Sequence, residues 1–175
     1  MKKEVEKLLQ YVQKPARYIG GELNAVVKDK DKIDIRYAFC FPDTYEIGMS
    51  HLGMKILYGL VNDREDSWCE RVFAPDNDME EQLRKNNVPL FALESGDYIK
   101  DFDMIGFTLQ YELSYTNVLN MLNLAQIPLK SSDRENLTPL ICVGGPCACN
   151  PEPITDFVDI VFLGDGEETT NQVID

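Results

Sequence analysis

The sequence has no long apolar run, only one histidine and few basic residues. No stretch approaches the roughly 20 apolar residues of a membrane-spanning helix, and residues 1–6 lack the apolar core of a signal peptide. We therefore expect a cytoplasmic protein. The 17 Lys and Arg residues against 30 Asp and Glu residues leave a net charge of −13. Nucleic acids and anionic membranes repel such a surface, which argues against direct binding of either.

Several catalytic signatures are also missing. The sequence contains neither a Gly-x-Gly-x-x-Gly dinucleotide fingerprint nor a P-loop with its lysine. Chemistry that depends on nicotinamide cofactors or nucleoside triphosphates therefore loses support. No Gly-x-Ser-x-Gly elbow and no Ser-His-Asp order occurs, which argues against a self-contained hydrolase. We predict no catalytic residue in this chain.

The cysteines do not predict a metal site or a disulfide framework. There are five of them, and an odd number without a secretion signal argues against paired disulfides. Only Cys147 and Cys149 are close in sequence. Two ligands do not complete a zinc site, and no Cys or His pair supplies the rest at a recognisable spacing. We interpret these two cysteines as structural.

Apolar segments alternate with helical patterns from residue 35 onward. Continuous apolar runs of this kind are typical of parallel strands that are buried on both faces, and right-handed crossovers place helices on both faces of the sheet. We predict an α/β, doubly wound fold with a mainly parallel five-stranded sheet in the flavodoxin-like order 2-1-3-4-5. The predicted strands are residues 35–41, 69–74, 103–109, 140–143 and 159–163.

Residues 1–34 lie outside this repeating pattern. Residues 3–12 have the spacing of an amphipathic helix, and the weak alternation of residues 22–28 before a charged turn predicts a hairpin arm. We divide the chain into a leader of residues 1–34 and an α/β domain of residues 35–175. Because a helical pattern is still running at Asp175, we expect further protein after it.

The junction after the first strand contains the only histidine. Residues 42–53 read Pro-Asp-Thr-Tyr-Glu-Ile-Gly-Met-Ser-His-Leu-Gly and predict a polar loop before a helix that begins at Leu52. The order 2-1-3-4-5 puts the switch point between the first and third strands, where ligands bind outside the carboxyl ends of the strands. A lone histidine is more often structural than catalytic, so we interpret His51 as part of a crevice wall.

Candidate binding residues follow four of the predicted strands. The loop after the third strand offers hydroxyl, aromatic and carboxylate groups, as binding loops on rigid sheets often do. Glycines after the fourth and fifth strands allow backbone to approach a ligand closely. The candidates are Asp43, Thr44, Tyr45, Glu46, Gly48, His51, Gly53, Thr108, Gln110, Tyr111, Glu112, Gly144, Gly145, Gly164 and Gly166.

Four stretches carry a family resemblance. Residues 15–24, 41–53, 107–117 and 144–147 resemble the N-terminal part of a bacterial family of B12-binding-domain-type radical SAM proteins of uncharacterised substrate. The resemblance extends over most of residues 15–168. It implies a Rossmann-like, cobalamin-binding-like fold for this chain. It also implies a C-terminal radical SAM barrel as partner, which would hold the 4Fe–4S cluster and SAM, since the Cys-x-x-x-Cys-x-x-Cys motif is absent here.

The sequence departs from the cobalamin pattern at the histidine. Cobalamin domains with a histidine lower ligand carry Asp-x-His-x-x-Gly, whereas Met49 and Met54 replace the aspartate and the glycine here. The carboxylate that usually orients a ligating imidazole is therefore missing. The resemblance implies base-off cobalamin without an assigned histidine ligand. Its corrinoid would lie over residues 43–53 and 108–112, and its nucleotide tail along residues 144–145 and 164–166.

Three functions remain open at this point. The chain is a cofactor-binding module that positions a corrinoid or substrate beside a catalytic barrel, or a vestigial cobalamin fold that acts as a docking domain. The third reading is a flavodoxin-like binder of another cofactor such as flavin mononucleotide, with only Thr44 and Ser50 to hold its phosphate. An open crevice at the switch point favours the first function, and a crevice filled by packed side chains favours the second.

Overall fold

Five parallel strands form one sheet in residues 2–175, the part of the chain that the computed structural model describes. The strands are β1 (Ile35–Phe41), β2 (Ser67–Phe73), β3 (Met104–Thr108), β4 (Leu140–Gly144) and β5 (Ile160–Val161). Their order is β2-β1-β3-β4-β5, as predicted. Each of the four pairings is parallel, and β5 is shorter than the sequence indicated.

Helices cover both faces of this sheet. Within residues 2–175 they are α1 (Lys3–Leu8), α2 (Tyr45–Ser50), α3 (Leu52–Asn62), α4 (Asn77–Asn86), α5 (Tyr115–Leu124) and α6 (Gly166–Ile174). Helices α1, α4 and α5 pack with Ala38 and Cys40 of β1, while α3 and α6 pack with Tyr37 and Phe39. Successive side chains of a strand point to opposite faces, so β1 is buried on both sides. None of the described helices has the length and apolar character to cross a bilayer.

The junction after β1 is helical, so the prediction of a polar loop was wrong. Residues 45–50 form α2, and only His51 separates α2 from α3. Gly48 is buried against Phe41 and Phe73, and a side chain at this position would overlap the Phe73 ring. This tertiary packing stabilises a short helix that has little apolar periodicity of its own.

His51 immediately precedes α3 and caps its first turn. Its backbone is extended, and Nδ1 of its ring accepts a hydrogen bond of 3.2 Å from the Met54 amide. This acceptor satisfies one of the N–H groups that the first turn of a helix leaves without a partner. The centroid of the Phe41 ring lies 5.2 Å from that of the imidazole. The histidine is therefore held both by the helix start and by an aromatic neighbour.

The leader does not form the predicted hairpin arm. Residues 19–29 contain no paired strand. The Tyr58 hydroxyl accepts a hydrogen bond from the Val26 amide at 2.7 Å, and the Trp68 indole N–H donates to the Val26 carbonyl at 3.0 Å. Core side chains thus satisfy the backbone groups of Val26 without a partner strand. Val5 and Leu8 of α1 are buried in the same core as α4, and a domain boundary at residue 34 stays a prediction.

Buried ion pairs lie on the edge strand β2. The Arg71 Nε donates to Glu94 Oε1 at 2.6 Å, the Arg71 amide donates to Glu94 Oε2 at 2.7 Å, and Arg71 Nη2 donates to Glu22 Oε2 at 3.1 Å. The neighbouring Glu70 is fully buried and pairs with Arg36. These bonds tie the leader and the segment around residue 94 to β2, and a covered edge is protected against pairing with another chain.

Replacing Glu94 with Gln tests this ionic cluster. Burial raises the pKa of Glu94 above its ordinary value, while the Arg71 charge acts in the opposite direction. The glutamine side chain is uncharged, so less negative charge compensates Arg71. It also places an NH2 group where Glu94 has an oxygen that accepts a hydrogen bond. Uncompensated buried charges cost roughly 3 kcal/mol, so we expect the free energy of unfolding to fall by about that amount in urea denaturation at pH 7.

The control for this measurement is Glu81→Gln. Glu81 is exposed on α4, so we expect a change below about 0.5 kcal/mol. Equal stability of Glu94→Gln and the unchanged protein would contradict the role given to the cluster.

A second pair of variants tests the cap of α3. His51→Ala removes the acceptor for the Met54 amide, whereas His51→Asn keeps a side-chain oxygen that can cap the helix. We expect His51→Ala to lose about 1 kcal/mol of stability and His51→Asn to lose clearly less. Thermal and urea unfolding measure both variants. If Asn and Ala destabilise the protein equally, the hydrogen bond to Met54 is not the reason that His51 matters.

Candidate functional site

An open crevice of about 260 Å³ lies outside the carboxyl ends of β1, β3 and β4. The chain leaves β1 toward α3 on one face of the sheet and leaves β3 toward α5 on the other. Such divergence opens a gap at the switch point of a doubly wound sheet. Tyr37 and Phe39 of β1 contribute to the lining, together with Leu57 of α3, Phe162 after β5 and Thr170 of α6.

Eight of the predicted binding residues line this crevice. They end or follow four different strands, and the parallel sheet brings the carboxyl ends of those strands together at one side. The residues are His51, Gly53, Thr108, Gln110, Gly144, Gly145, Gly164 and Gly166. Their role as cofactor contacts stays a prediction.

The other predicted residues do not line the crevice. They are Asp43, Thr44, Tyr45, Glu46, Gly48, Tyr111 and Glu112. Asp43 accepts a hydrogen bond from the Tyr111 hydroxyl at 2.9 Å, which links the segments that follow β1 and β3. Tyr45 and Glu46 bind leader residues instead, at 3.0 Å to Glu22 and 2.7 Å to Arg17. These side chains belong to α2 and point toward the leader. The predicted loop would not have imposed this direction.

A chain of hydrogen bonds crosses the switch point. His51 Nε2 lies 3.1 Å from Gln110 Oε1, and Gln110 Nε2 donates to Thr108 Oγ1 at 2.5 Å. Since Nδ1 accepts from the Met54 amide, Nε2 carries the proton and donates to Gln110. Both nitrogens of the imidazole therefore have protein partners, and neither is free to bind a metal.

Two adjacent glycines shape the side of the crevice formed by β4. Gly145 has a φ of +98°, and a Cβ there would approach the Leu109 carbonyl oxygen to 2.9 Å. A side chain at Gly145 would therefore strain the backbone and push β3 and the following turn apart. At Gly144 the φ is ordinary, and a Cβ would meet Phe162 at 3.4 Å, a normal van der Waals distance. A larger side chain fits the backbone at Gly144 but takes space from the crevice.

The two neighbouring cysteines lie beside this side of the crevice, in the turn Pro146–Cys149. Burial, Glu112 and Cys149 raise the pKa of Cys147, so less of its thiol is in the nucleophilic thiolate form at neutral pH. The Cys149 thiol donates to the Pro146 carbonyl at 3.1 Å. Residues 2–175 contain no group of three or more His, Cys, Asp and Glu side chains arranged to hold a metal ion.

Sequence reasoning missed the apolar interior of the crevice. Tyr37 belongs to a continuous apolar strand, and its ring lies across Gly106 of β3, where a Cβ would overlap the phenol oxygen. A glycine in the middle of a strand often marks such a close approach, so Gly106 was the available signal. Nothing comparable in the sequence indicates Leu57, Phe162 or Thr170.

Comparison with known proteins connects this architecture to a family. The profile described as "Radical SAM proteins, N-terminal" matches residues 53–175. An uncharacterized protein of Methanocaldococcus jannaschii is 28% identical over 131 residues, which are 74% of this chain and 24% of that relative. This chain thus spans about a quarter of the relative's length.

No solved structure matches the chain. The profile match begins at Gly53, inside the junction after β1, and includes the segments after β3, β4 and β5 that line the crevice. Because this match extends over well more than half of the sequence, the chain belongs to the radical SAM proteins, and residues 53–175 correspond to the N-terminal region of that family.

Proposed function

We propose that this chain is the corrinoid-binding module of a radical SAM protein and that the crevice is its binding site. The observation that carries the proposal is the open volume of about 260 Å³ at the switch point. A fold that had lost its ligand has no reason to keep this gap, because packing it with side chains would stabilise the protein. The glycine at position 144 keeps part of the gap open instead.

The size of the crevice suits one end of such a cofactor. Ligand pockets start at about 300 Å³, so a whole corrinoid would not fit inside this gap. The nucleotide end would enter it, beside Thr108, Gln110 and the glycines after β4 and β5. The corrin ring would lie outside the gap near Leu52 and Leu163, which are 69% and 64% exposed and adjoin lining residues in sequence. Exposed apolar residues near a pocket are typical of binding surfaces.

The chain would contribute position rather than chemistry. A bound corrinoid supplies a cobalt–carbon bond for methyl or radical transfer, and the residues of this chain would orient it. Both ring nitrogens of His51 are engaged with Met54 and Gln110, so binding would be base-off without this histidine as ligand. The 4Fe–4S cluster, SAM and the reaction itself would belong to a radical SAM domain in the rest of a longer cytoplasmic protein, which is the partner that we propose.

A docking domain is the second candidate function. The exposed Leu52 and Leu163 favour it, because they also suit a protein surface that covers them. The two candidates differ in a simple respect: a docking domain leaves the crevice without a small ligand.

Titration with hydroxocobalamin distinguishes these functions. We expect a change in the visible spectrum and retention of the cofactor on a desalting column. Gly144→Leu should weaken binding at least about tenfold, which corresponds to about 1.4 kcal/mol, because its side chain takes space beside Phe162. Gly59→Leu is the matched control, since Gly59 of α3 faces open space away from the crevice. Its affinity should equal that of the unchanged protein.

The alternative outcomes are equally clear. Failure to retain hydroxocobalamin at high micromolar concentration would overturn the corrinoid proposal and favour the docking function. Retention of flavin mononucleotide in place of hydroxocobalamin would assign the crevice to a flavin. Equal loss of affinity in Gly144→Leu and Gly59→Leu would place the cofactor elsewhere.

A further inference from the structure

The interior of the crevice contains an aromatic residue whose hydroxyl the fold does not use. Tyr37 points from β1 toward α3 and α6, and its ring stacks on Phe39 at a centroid distance of 5.9 Å and an interplanar angle of 19°. The residue is only 5% exposed, and what remains accessible contributes to the crevice lining. Gly106 provides the space in β3 over which the ring lies.

Within residues 2–175, the Tyr37 hydroxyl has no hydrogen-bond partner. The thiols of Cys142, Cys69 and Cys40 are close enough to affect the pKa of Tyr37. Thiols are only weak hydrogen-bond acceptors. The oxygen is not among the fully buried unpartnered atoms, such as Arg36 Nε and Asn171 Oδ1. Burial raises the pKa of Tyr37 well above its ordinary value, so the hydroxyl stays protonated and available as a donor.

Packing alone does not require this hydroxyl. Phe39 lies on the same face of β1, is 3% exposed and fills the same core without a polar atom. A phenylalanine at position 37 would keep the stacked ring and would not place an unpaired donor in an apolar interior, an arrangement that normally costs stability. The hydroxyl therefore has no structural task that the surrounding residues reveal.

We infer that the Tyr37 hydroxyl selects the buried end of the ligand by donating a hydrogen bond to an acceptor on a planar heteroaromatic group. The aromatic rings of Tyr37, Phe39 and Phe162 and the side chain of Leu57 line the space that such a group would occupy. Aromatic and aliphatic walls hold a flat ring well, and a single donor then fixes its orientation. This inference rests on the proposed function, because it names the part of a corrinoid that enters the crevice.

The test compares two corrinoids in Tyr37→Phe. Hydroxocobalamin carries a heteroaromatic base on its nucleotide tail, and cobinamide lacks that tail. We expect Tyr37→Phe to bind hydroxocobalamin about tenfold more weakly than the unchanged protein, as the loss of one buried hydrogen bond predicts, and to bind cobinamide equally well. Tyr98→Phe is the matched control, because its hydroxyl binds Glu4 and does not line the crevice. Neither affinity should change in that variant.

Each outcome has one meaning. If the unchanged protein binds hydroxocobalamin and Tyr37→Phe binds it equally well, the inference is overturned while the corrinoid module stands. An equal loss for both corrinoids would also overturn it, since the donor would then not act on the base. A melting temperature of Tyr37→Phe below that of the unchanged protein would reveal a structural role for the hydroxyl and count against the inference.

A second measurement decides the inference if the corrinoid proposal itself fails. Benzimidazole and indene have the same shape, but only benzimidazole carries an acceptor nitrogen. Chemical-shift titration should show that the unchanged protein prefers benzimidazole and that Tyr37→Phe loses this preference. Equal binding of the two probes to the unchanged protein, or an undiminished preference in Tyr37→Phe, would overturn the inference whatever the cobalamin result.

Discussion

Parallel pairing of β1 with both β2 and β3 is the constraint on which the crevice depends. Tyr37 pairs in register with Cys69 on one side and Met104 on the other. Parallel strands need crossover connections, and here the connection after β1 passes over one face while that after β3 passes over the opposite face. The two connections therefore diverge at the carboxyl ends of β1 and β3. The gap between them follows from topology, and the residues around it decide what it can hold.

Those residues are held rigidly. His51 uses one ring nitrogen to begin α3 and the other to bind Gln110, which in turn binds Thr108. The imidazole thus joins two walls of the crevice instead of offering a free nitrogen. Gly145 lets the turn after β4 pack directly on the end of β3. A site whose walls are fixed before a ligand arrives loses little conformational entropy on binding.

The edge strand β2 is covered by other segments of the chain. The leader and the segment around residue 94 cover β2 through Arg71, whose charge is balanced by Glu22 and Glu94. These ion pairs hold both segments against the edge. The exposed Leu52 and Leu163 instead adjoin, in sequence, residues that line the crevice. The sheet thus combines a covered edge at β2 with an open crevice at the carboxyl ends of β1, β3 and β4.

The alternation of apolar and helical segments was enough to predict the strand order, and the strand ends were enough to predict eight residues of the crevice, because parallel topology brings such ends together. The sequence did not predict α2, the turning of Tyr45 and Glu46 toward the leader, or the course of residues 19–29, since these depend on contacts with Phe73, Tyr58 and Trp68. Nor did it reveal the unpaired hydroxyl of Tyr37. Local patterns determined which segments are strands and helices; only the tertiary structure decided which side chains meet, because those contacts join residues distant in sequence.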